Sequence, residues 1–252
     1  MEARTCARKT PRLGAALSPL AAKALMPNRA VPALSIIMPT RNEAAHIVSS
    51  LQPLQALRGE LEVILVDGGS TDNTVALATG LCDQLLQCPP GRARQMNAGA
   101  AVARGNTLLF LHADTRLPAG FAQLIAQAVN KNHRWGRFDV QLDPASALLN
   151  TVAGMMNWRS RLTGVCTGDQ GIFVEHQLFT ELGGYADIPL MEDIELSKRL
   201  RRQGKPACLR PPLVTSSRRW QQHGTLRTIV LMWWLRALYW LGVPPRRLAQ
   251  WY

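Results

Sequence analysis

The apolar run Thr107-Leu108-Leu109-Phe110-Leu111 ends directly in His112-Ala113-Asp114, and this join constrains the chain more than any other stretch. A short apolar run bounded by polar residues predicts a buried parallel strand, and open α/β sheets bind ligands just beyond the carboxyl ends of such strands. A carboxylate at Asp114 is therefore placed to hold Mg²⁺ or Mn²⁺, hard cations that take oxygen ligands and are often shared with substrate phosphates. An Asp after a strand also serves as a helix N-cap or turn former, and Thr115 to Pro118 reads as the entry to a helix.

The same pattern stands upstream. Leu34 to Pro39 predicts a strand stopped by proline, followed by Thr40-Arg41-Asn42-Glu43 and a helical stretch to about Leu57. Leu61 to Val66 predicts a second strand, ending in Asp67-Gly68-Gly69-Ser70-Thr71-Asp72. Its glycines permit a tight turn with close backbone approach to a ligand, and Ser70 or Thr71 is expected to cap the next helix. Gln84 to Gln87 fits a short third strand, and Gly91 to Arg104 a loop and an Ala-rich helix. Strands alternating with helices in this way predict an α/β fold, a mostly parallel sheet flanked by helices. The loops that follow successive strands carry Arg41 and Glu43, then Asp67, then Asp114, which describes a lined crevice.

At 252 residues and 47% hydrophobic content, the chain can bury one substantial core and requires no second full domain. The formal charge of +12 is uneven, because no Asp or Glu follows Glu195 while Lys and Arg recur from Lys198 to Arg247. That split argues against a specific nucleic-acid binder and for an acidic site joined to a basic carboxyl-terminal region; excess Arg also solubilises a surface. Cys6, Cys82, Cys88, Cys166 and Cys208 form no CxxC pair or zinc-ligand spacing and read as free thiols in a reducing compartment. Residues 1–32 are rich in Arg and Ala and read as a flexible basic extension; their composition also suits a transit-like peptide.

Taken in order, Ser35-Ile36-Ile37-Met38-Pro39-Thr40-Arg41-Asn42-Glu43, Val66-Asp67-Gly68-Gly69-Ser70-Thr71-Asp72, Leu111-His112-Ala113-Asp114 and Met191-Glu192-Asp193 resemble family 2 glycosyltransferases of the GT-A fold. The His-Ala-Asp form of the Asp-x-Asp motif is similar to that of a bacterial subgroup labelled arsenosugar-biosynthesis-type transferases. The likeness spans roughly residues 34–223, and the ordered set of motifs is specific where any single one is not. It implies transfer of a sugar from a nucleotide diphosphate donor to an acceptor hydroxyl, with a GT-A domain over 33–223.

The resemblance implies a role for each matching position. Pro39, Thr40, Arg41 and Glu43 would lie against the base and ribose, and Asp67, with Gly69 in its loop, would hydrogen-bond the base. Arg92 and Arg94 fall in a segment near the nucleotide, and which of them points inward is left open. Asp114 would be the direct metal ligand. His112 departs from the general motif: a neutral imidazole can bond a ribose hydroxyl or a metal, but it removes one negative charge. A histidine packed under the loop without a ligand contact is the plainer alternative.

In the second half, Thr167-Gly168-Asp169-Gln170-Gly171 matches the turn that GT-A enzymes place under the donor sugar, where Gly168 admits close backbone and Asp169 can take hydroxyls; an ordinary turn reads the same way. Glu192 and Asp193 open an amphipathic helix, which the macrodipole alone would favour. The resemblance implies that Asp193 is the general base of an inverting reaction and that Glu192 helps to position the acceptor. His223 matches a carboxyl-terminal histidine that completes the metal or diphosphate contact. Ser217-Arg218-Arg219-Trp220 partly resembles a motif of processive relatives whose Trp lines the acceptor groove, with different spacing.

Residues 224–252 predict an amphipathic or membrane-docking helix and tail. Thr228 to Val243 is almost wholly apolar apart from Arg236, and it is shorter than the roughly 20 residues a spanning helix needs. Its tryptophans and flanking arginines suit an anionic membrane surface and place the protein in the cytoplasm at the inner face of the cell membrane, with a lipid-like acceptor; a helix packed on the domain is the alternative. Two rival functions remain from the sequence. A sugar nucleotidyltransferase would need a glycine-rich basic loop after the first strand, where Thr-Arg-Asn-Glu stands. A non-catalytic basic membrane or nucleic-acid binding module would tolerate loss of Asp114 and Asp193.

Overall fold

The computed structural model describes residues 31–252, apart from the side chains of Arg219, Gln222 and His223. Residues 1–30 of the expected amino-terminal extension lie outside the described part, and Pro32–Tyr252 forms one compact unit. In chain order the first half comprises β1 (Leu34–Thr40), α1 (Ile47–Leu51), β2 (Leu61–Asp67), α2 (Thr74–Ala78), β3 (Gln84–Gln87), α3 (Arg92–Val102), β4 (Thr107–Phe110) and β5 (Thr115–Arg116). There follow α4 (Phe121–Asn130), β6 (Trp135–Asp143), α5 (Ala147–Thr163), β7 (Ile172–Glu175), α6 (His176–Glu181) and α7 (Glu192–Leu200). The chain closes with β8 (Ala207–Ser216), α8 (Arg218–His223), α9 (Thr225–Trp240) and α10 (Pro245–Leu248).

One sheet carries the strands in the order β3-β2-β1-β4-β7-β6-β8-β5. The first four neighbours run parallel, as the alternation of strands and helices requires, with Thr40 beside Asp67 and Ile37 beside Phe110. Successive side chains of β1 and β2 point to opposite faces. Ile36, Met38, Val63 and Leu65 pack with Ile47 and Leu51 of α1, whereas Ile37, Ile64 and Val66 pack with Met96 and Ala100 of α3. Burial on both faces is why these strands read as continuous apolar runs. A Cβ at Gly99 would meet the Ile37 side chain at 2.5 Å, so glycine lets α3 lie close against β1. Because β2 and β4 flank β1 on opposite sides, the strand order reverses there, and the crevice opens beyond the carboxyl ends of β1 and β4.

The sheet is mostly parallel, as expected: β6 and β8 also pair in parallel, and the exceptions are β7, antiparallel to both β4 and β6, and β5, antiparallel to β8. Two expectations are corrected. Thr115-Arg116 enters no helix; it pairs with Thr215 and Val214 of β8, and α4 starts only at Phe121. Neither Ser70 nor Thr71 caps α2. Ser70 bonds Asp67 and the Asn42 amide, while Asp72 accepts the Thr74 amide at the helix start.

The carboxyl-terminal helix is present as α9, but it is not apolar throughout, because Arg227 and Arg236 lie within it. Among the described residues no helix is long and apolar enough to cross a membrane. Leu235 of α9 and Leu248 of α10 are fully buried against Val165, Leu190, Met191 and Ile194. Lys198 Nζ of α7 lies 4.4 Å and 3.9 Å from the ring centres of Tyr239 and Trp240, cation–π contacts that add to this seam.

Candidate active site

The loops after β1 and β2 are stitched together before any ligand arrives. The Asn42 amide donates to Ser70 Oγ at 2.9 Å, Thr71 N to Asn42 Oδ1 at 2.8 Å, and Glu43 N to Thr74 Oγ1 at 2.7 Å. Gln95 of α3 donates to the carbonyls of Thr40 and Val66, tying the two strand ends from below. Asp67 is buried, and its carboxylate accepts the Gly69 and Ser70 amides and the Ser70 hydroxyl. Those bonds turn both of its oxygens towards its own loop.

A cleft of about 830 Å³ opens over these ends. Of the residues singled out from the sequence, Pro39, Thr40, Arg41, Glu43, Arg92, His112, Asp114, Gly168, Asp169, Glu192 and Asp193 line it; Asp67, Gly69 and Arg94 do not. Between the two arginines the geometry is clear: Arg92 donates to Glu192 at 3.3 Å, whereas Arg94 pairs with exposed Asp187 at 2.9 Å. His223 closes α8, and its side chain lies outside the described residues.

Asp193 sits in the first turn of α7, where Gly168 N donates to its Oδ2 at 2.8 Å and Ile194 N to its Oδ1 at 2.7 Å. Its aim is thus fixed by two backbone amides. Met191, just before, takes a left-handed φ of 68°, a strained conformation for a side-chain-bearing residue that turns the chain into the helix. Glu192 is buried, which raises its pKa, and the charge of Asp193 acts in the same direction against Arg92.

Gly168 lies over His112. A Cβ there would stand 2.8 Å from His112 Nε2, so only glycine lets the turn rest on the imidazole. That Nε2 is buried without a hydrogen-bond partner. Burial, then the charge of Arg92, push the imidazole down to about 3, so His112 is neutral across the physiological range. Asp169 Oδ1 is likewise buried and unpartnered, and burial pushes that carboxyl up, with Asp193 adding to the effect. The turn itself is anchored by Gln170, whose amide donates to Ser160 Oγ of α5 at 3.1 Å. Beneath it, fully buried Arg137 pairs with Asp139 and donates to the Asn157 carbonyl at 3.0 Å, locking β6 to α5.

On the other wall, Glu43 is half-buried; burial raises its pKa, Arg218 at 3.2 Å opposes this, and Asp114 contributes upward. Glu43 and Asp114 therefore share one field. Asp114 is partly exposed, and among the described residues it takes part in no ion pair and in one hydrogen bond, a 3.5 Å contact from Thr115. Among the described residues no group of three or more His, Cys, Asp or Glu is placed to hold a metal. The donor set fits a Mg²⁺ or Mn²⁺ ion that takes one carboxylate here and its remaining ligands from a diphosphate and water, as Mg²⁺ commonly does.

The sequence reading missed Arg159 as a lining residue and passed over Arg236 as an interruption; both face this cleft. A lone charge inside an apolar helix was the available signal for Arg236. Nothing in the run around Trp158 marked Arg159.

Residues 35–143 match the model of glycosyl transferase family 2. A segment of 96 residues is 40% identical to a PGL/p-HBAD biosynthesis glycosyltransferase of Mycobacterium bovis, covering 35% of this chain and 38% of that protein. A segment of 105 residues is 35% identical to an uncharacterized glycosyltransferase of Mycobacterium tuberculosis, covering 39% of each. The alignments thus span about two fifths of these relatives' own length. In fold, the chain is similar to S. aureus TarS 1-349, with a TM-score of 0.60 at 17% identity over 73% of this chain and 60% of that one. It is also similar to the mannosyltransferase PcManGT of Pyrobaculum calidifontis, solved with GDP-Man and Mn2+, with a TM-score of 0.57 at 21% identity over 73% of this chain and 56% of that one. The segment 35–143 is thus similar to glycosyl transferase family 2, and the chain shares its fold with these solved structures.

Proposed function

We propose that the protein is an inverting glycosyltransferase that moves a sugar from a nucleotide diphosphate donor to an acceptor hydroxyl. The observation that carries this reading is Asp193, held by two backbone amides in the cleft that Asp114 also lines. Asp193 takes the acceptor proton as the hydroxyl oxygen forms its bond to the anomeric carbon. The bond from that carbon to the diphosphate breaks on the opposite face, its electron pair leaves on the phosphate oxygen, and the configuration inverts. Asp114 holds the divalent ion, which when bound supplies charge neutralisation for the diphosphate. Pro39 to Glu43 and Arg92 hold the nucleotide end, His112 stays neutral beneath Gly168, and Glu192 sets Arg92. The relatives solved with UDP-GlcNAc or GDP-Man support a nucleotide-sugar donor. Within family 2 we assign the chain to the His-Ala-Asp subgroup on the sequence of residues 112–114 alone. Proton NMR of the product tests the stereochemistry: an α-linked donor is expected to give a β-linked glycoside, and an α-linked product would contradict the assignment.

We further propose that the enzyme works against the inner face of the cell membrane. Leu226, Val230, Trp233, Trp240 and Leu241 line one exposed face of α9 and its end, with Arg227, Arg246 and Arg247 nearby in sequence. Exposed apolar area edged by cations suits anionic lipid. Co-sedimentation is expected with phosphatidylglycerol vesicles and not with phosphatidylcholine vesicles, and is expected to weaken in Trp233→Ser/Trp240→Ser. Equal sedimentation with both lipids would contradict the proposal.

A further inference from the structure

The cleft has two electrostatic halves. Glu43 shares a field with Asp114 and Arg218. Asp169 instead shares one with Asp193, Arg236 and Arg159, on the side of the proposed base. The first half is the donor end of the reading above, and the second is where the acceptor must present its hydroxyl.

In that second half stand two arginines whose guanidinium groups make no hydrogen bond or ion pair among the described residues. Arg159 of α5 has Nε and Nη2 buried with no hydrogen bond, and among the described residues Arg236 of α9 makes no hydrogen bond or ion pair. Burial pushes the Arg159 guanidinium down to about 10, with the charge of Arg236 acting in the same direction; burial lowers Arg236 as well. Both remain cationic near neutrality, repelling each other across the cleft. Neutralising the nearby carboxylates does not explain them. Asp193 spends its hydrogen bonds on backbone amides, and Asp169 Oδ1 is unpartnered. Buried guanidinium donors left unmade are costly, and a bound anion would satisfy them.

The walls beside this pair are apolar. Met155 and Trp158 of α5 face the cleft, as do Ile229, Met232 and Trp233 of α9. Trp158 is 66% exposed and Trp233 59%, so the apolar lining runs out to the mouth rather than closing a core.

Resting on the transferase reading above, we propose that Arg159 and Arg236 form a subsite for an acidic group, so that the acceptor is an amphiphile with a carboxylate or phosphate close to the hydroxyl that receives the sugar. The guanidinium pair holds the anion, the Met155–Trp158 and Met232–Trp233 walls hold the apolar body, and the hydroxyl is left facing Asp193.

Tryptophan fluorescence of the full chain, titrated with octyl phosphate, octanoate and octanol, tests this. The wild type is expected to bind at least one of the two acids about tenfold or more tighter than octanol, as charge-assisted hydrogen bonds should give. The stronger acid identifies the group as phosphate or carboxylate. In Arg159→Gln/Arg236→Gln this preference is expected to vanish while octanol binding stays, and Arg159→Lys/Arg236→Lys is expected to keep part of it. If the glutamine pair fails to fold by circular dichroism, the single glutamine variants are read in its place. Octanol binding as tight as the acids, or a preference that survives both glutamine changes, overturns the subsite. Nucleotide-sugar stabilisation is measured on the same samples: its absence beside an intact acid preference counts against the transferase reading and leaves the subsite standing.

Discussion

Asp193→Asn is expected to lower turnover by about 10²- to 10⁴-fold, the range that a positioned general base contributes, and to leave stabilisation by the donor unchanged. The substitution keeps the shape of the side chain, so its carbonyl oxygen can still accept one of the amides of Gly168 and Ile194 that fix its aim. What it removes is the capacity to take a proton. Turnover by Asp193→Asn near the wild-type rate would exclude Asp193 as the base, whatever the fate of donor binding. Glu192→Gln serves as the comparison, since Glu192 is buried and bonded to Arg92 rather than free to accept from an acceptor hydroxyl. Its effect is expected to fall on donor affinity through Arg92.

The amino-terminal half of the fold was legible because local pattern and global topology agree there. Leu34–Thr40, Leu61–Asp67 and Gln84–Gln87 form strands where apolar runs end in turn residues, and α3 follows where the Ala-rich segment stands. Legibility fails where the partner is distant in sequence. Thr115-Arg116 looks like a helix entry locally, yet its Thr115 hydroxyl bonds Thr215, and this pairing with β8 overrides the local signal. The reversal of β7 is equally invisible, because a buried apolar run carries no mark of direction.

The candidate site divides in the same way. Asp114 and Glu43 declare themselves by position after a strand, and the cleft brings both together with Asp193. The surroundings of His112 could not be read from its neighbours in sequence, since the group that covers it is Gly168, in the turn that leads into β7. Arg92 and Arg94 are chemically alike, and only the third dimension sends one to Glu192 and the other to Asp187. An apolar helix likewise cannot say from composition alone whether it meets protein or lipid. In α9 the answer is divided: Leu235 packs on the domain while Trp233 and Trp240 stay exposed.

Asp114→Ala carries the second large effect. Its carboxylate is the partly exposed acid of the donor half and, among the described residues, is in no ion pair, so its removal costs the ion its direct proposed carboxylate ligand while leaving the buried core untouched. Turnover is expected to fall by at least about a hundredfold, comparable to losing one preorganised group that stabilises developing charge. Glu43 is poorly suited to replace it, being held by Arg218.

The most direct measurement is thermal unfolding of the wild type and Asp114→Ala with UDP-, GDP- and dTDP-sugars, each with and without Mn²⁺. One nucleotide series is expected to raise the wild-type midpoint, more strongly with Mn²⁺, and the Mn²⁺-dependent part is expected to disappear in Asp114→Ala. No shift with any series, or an identical Mn²⁺-dependent shift in Asp114→Ala, would contradict a nucleotide-sugar site built around Asp114.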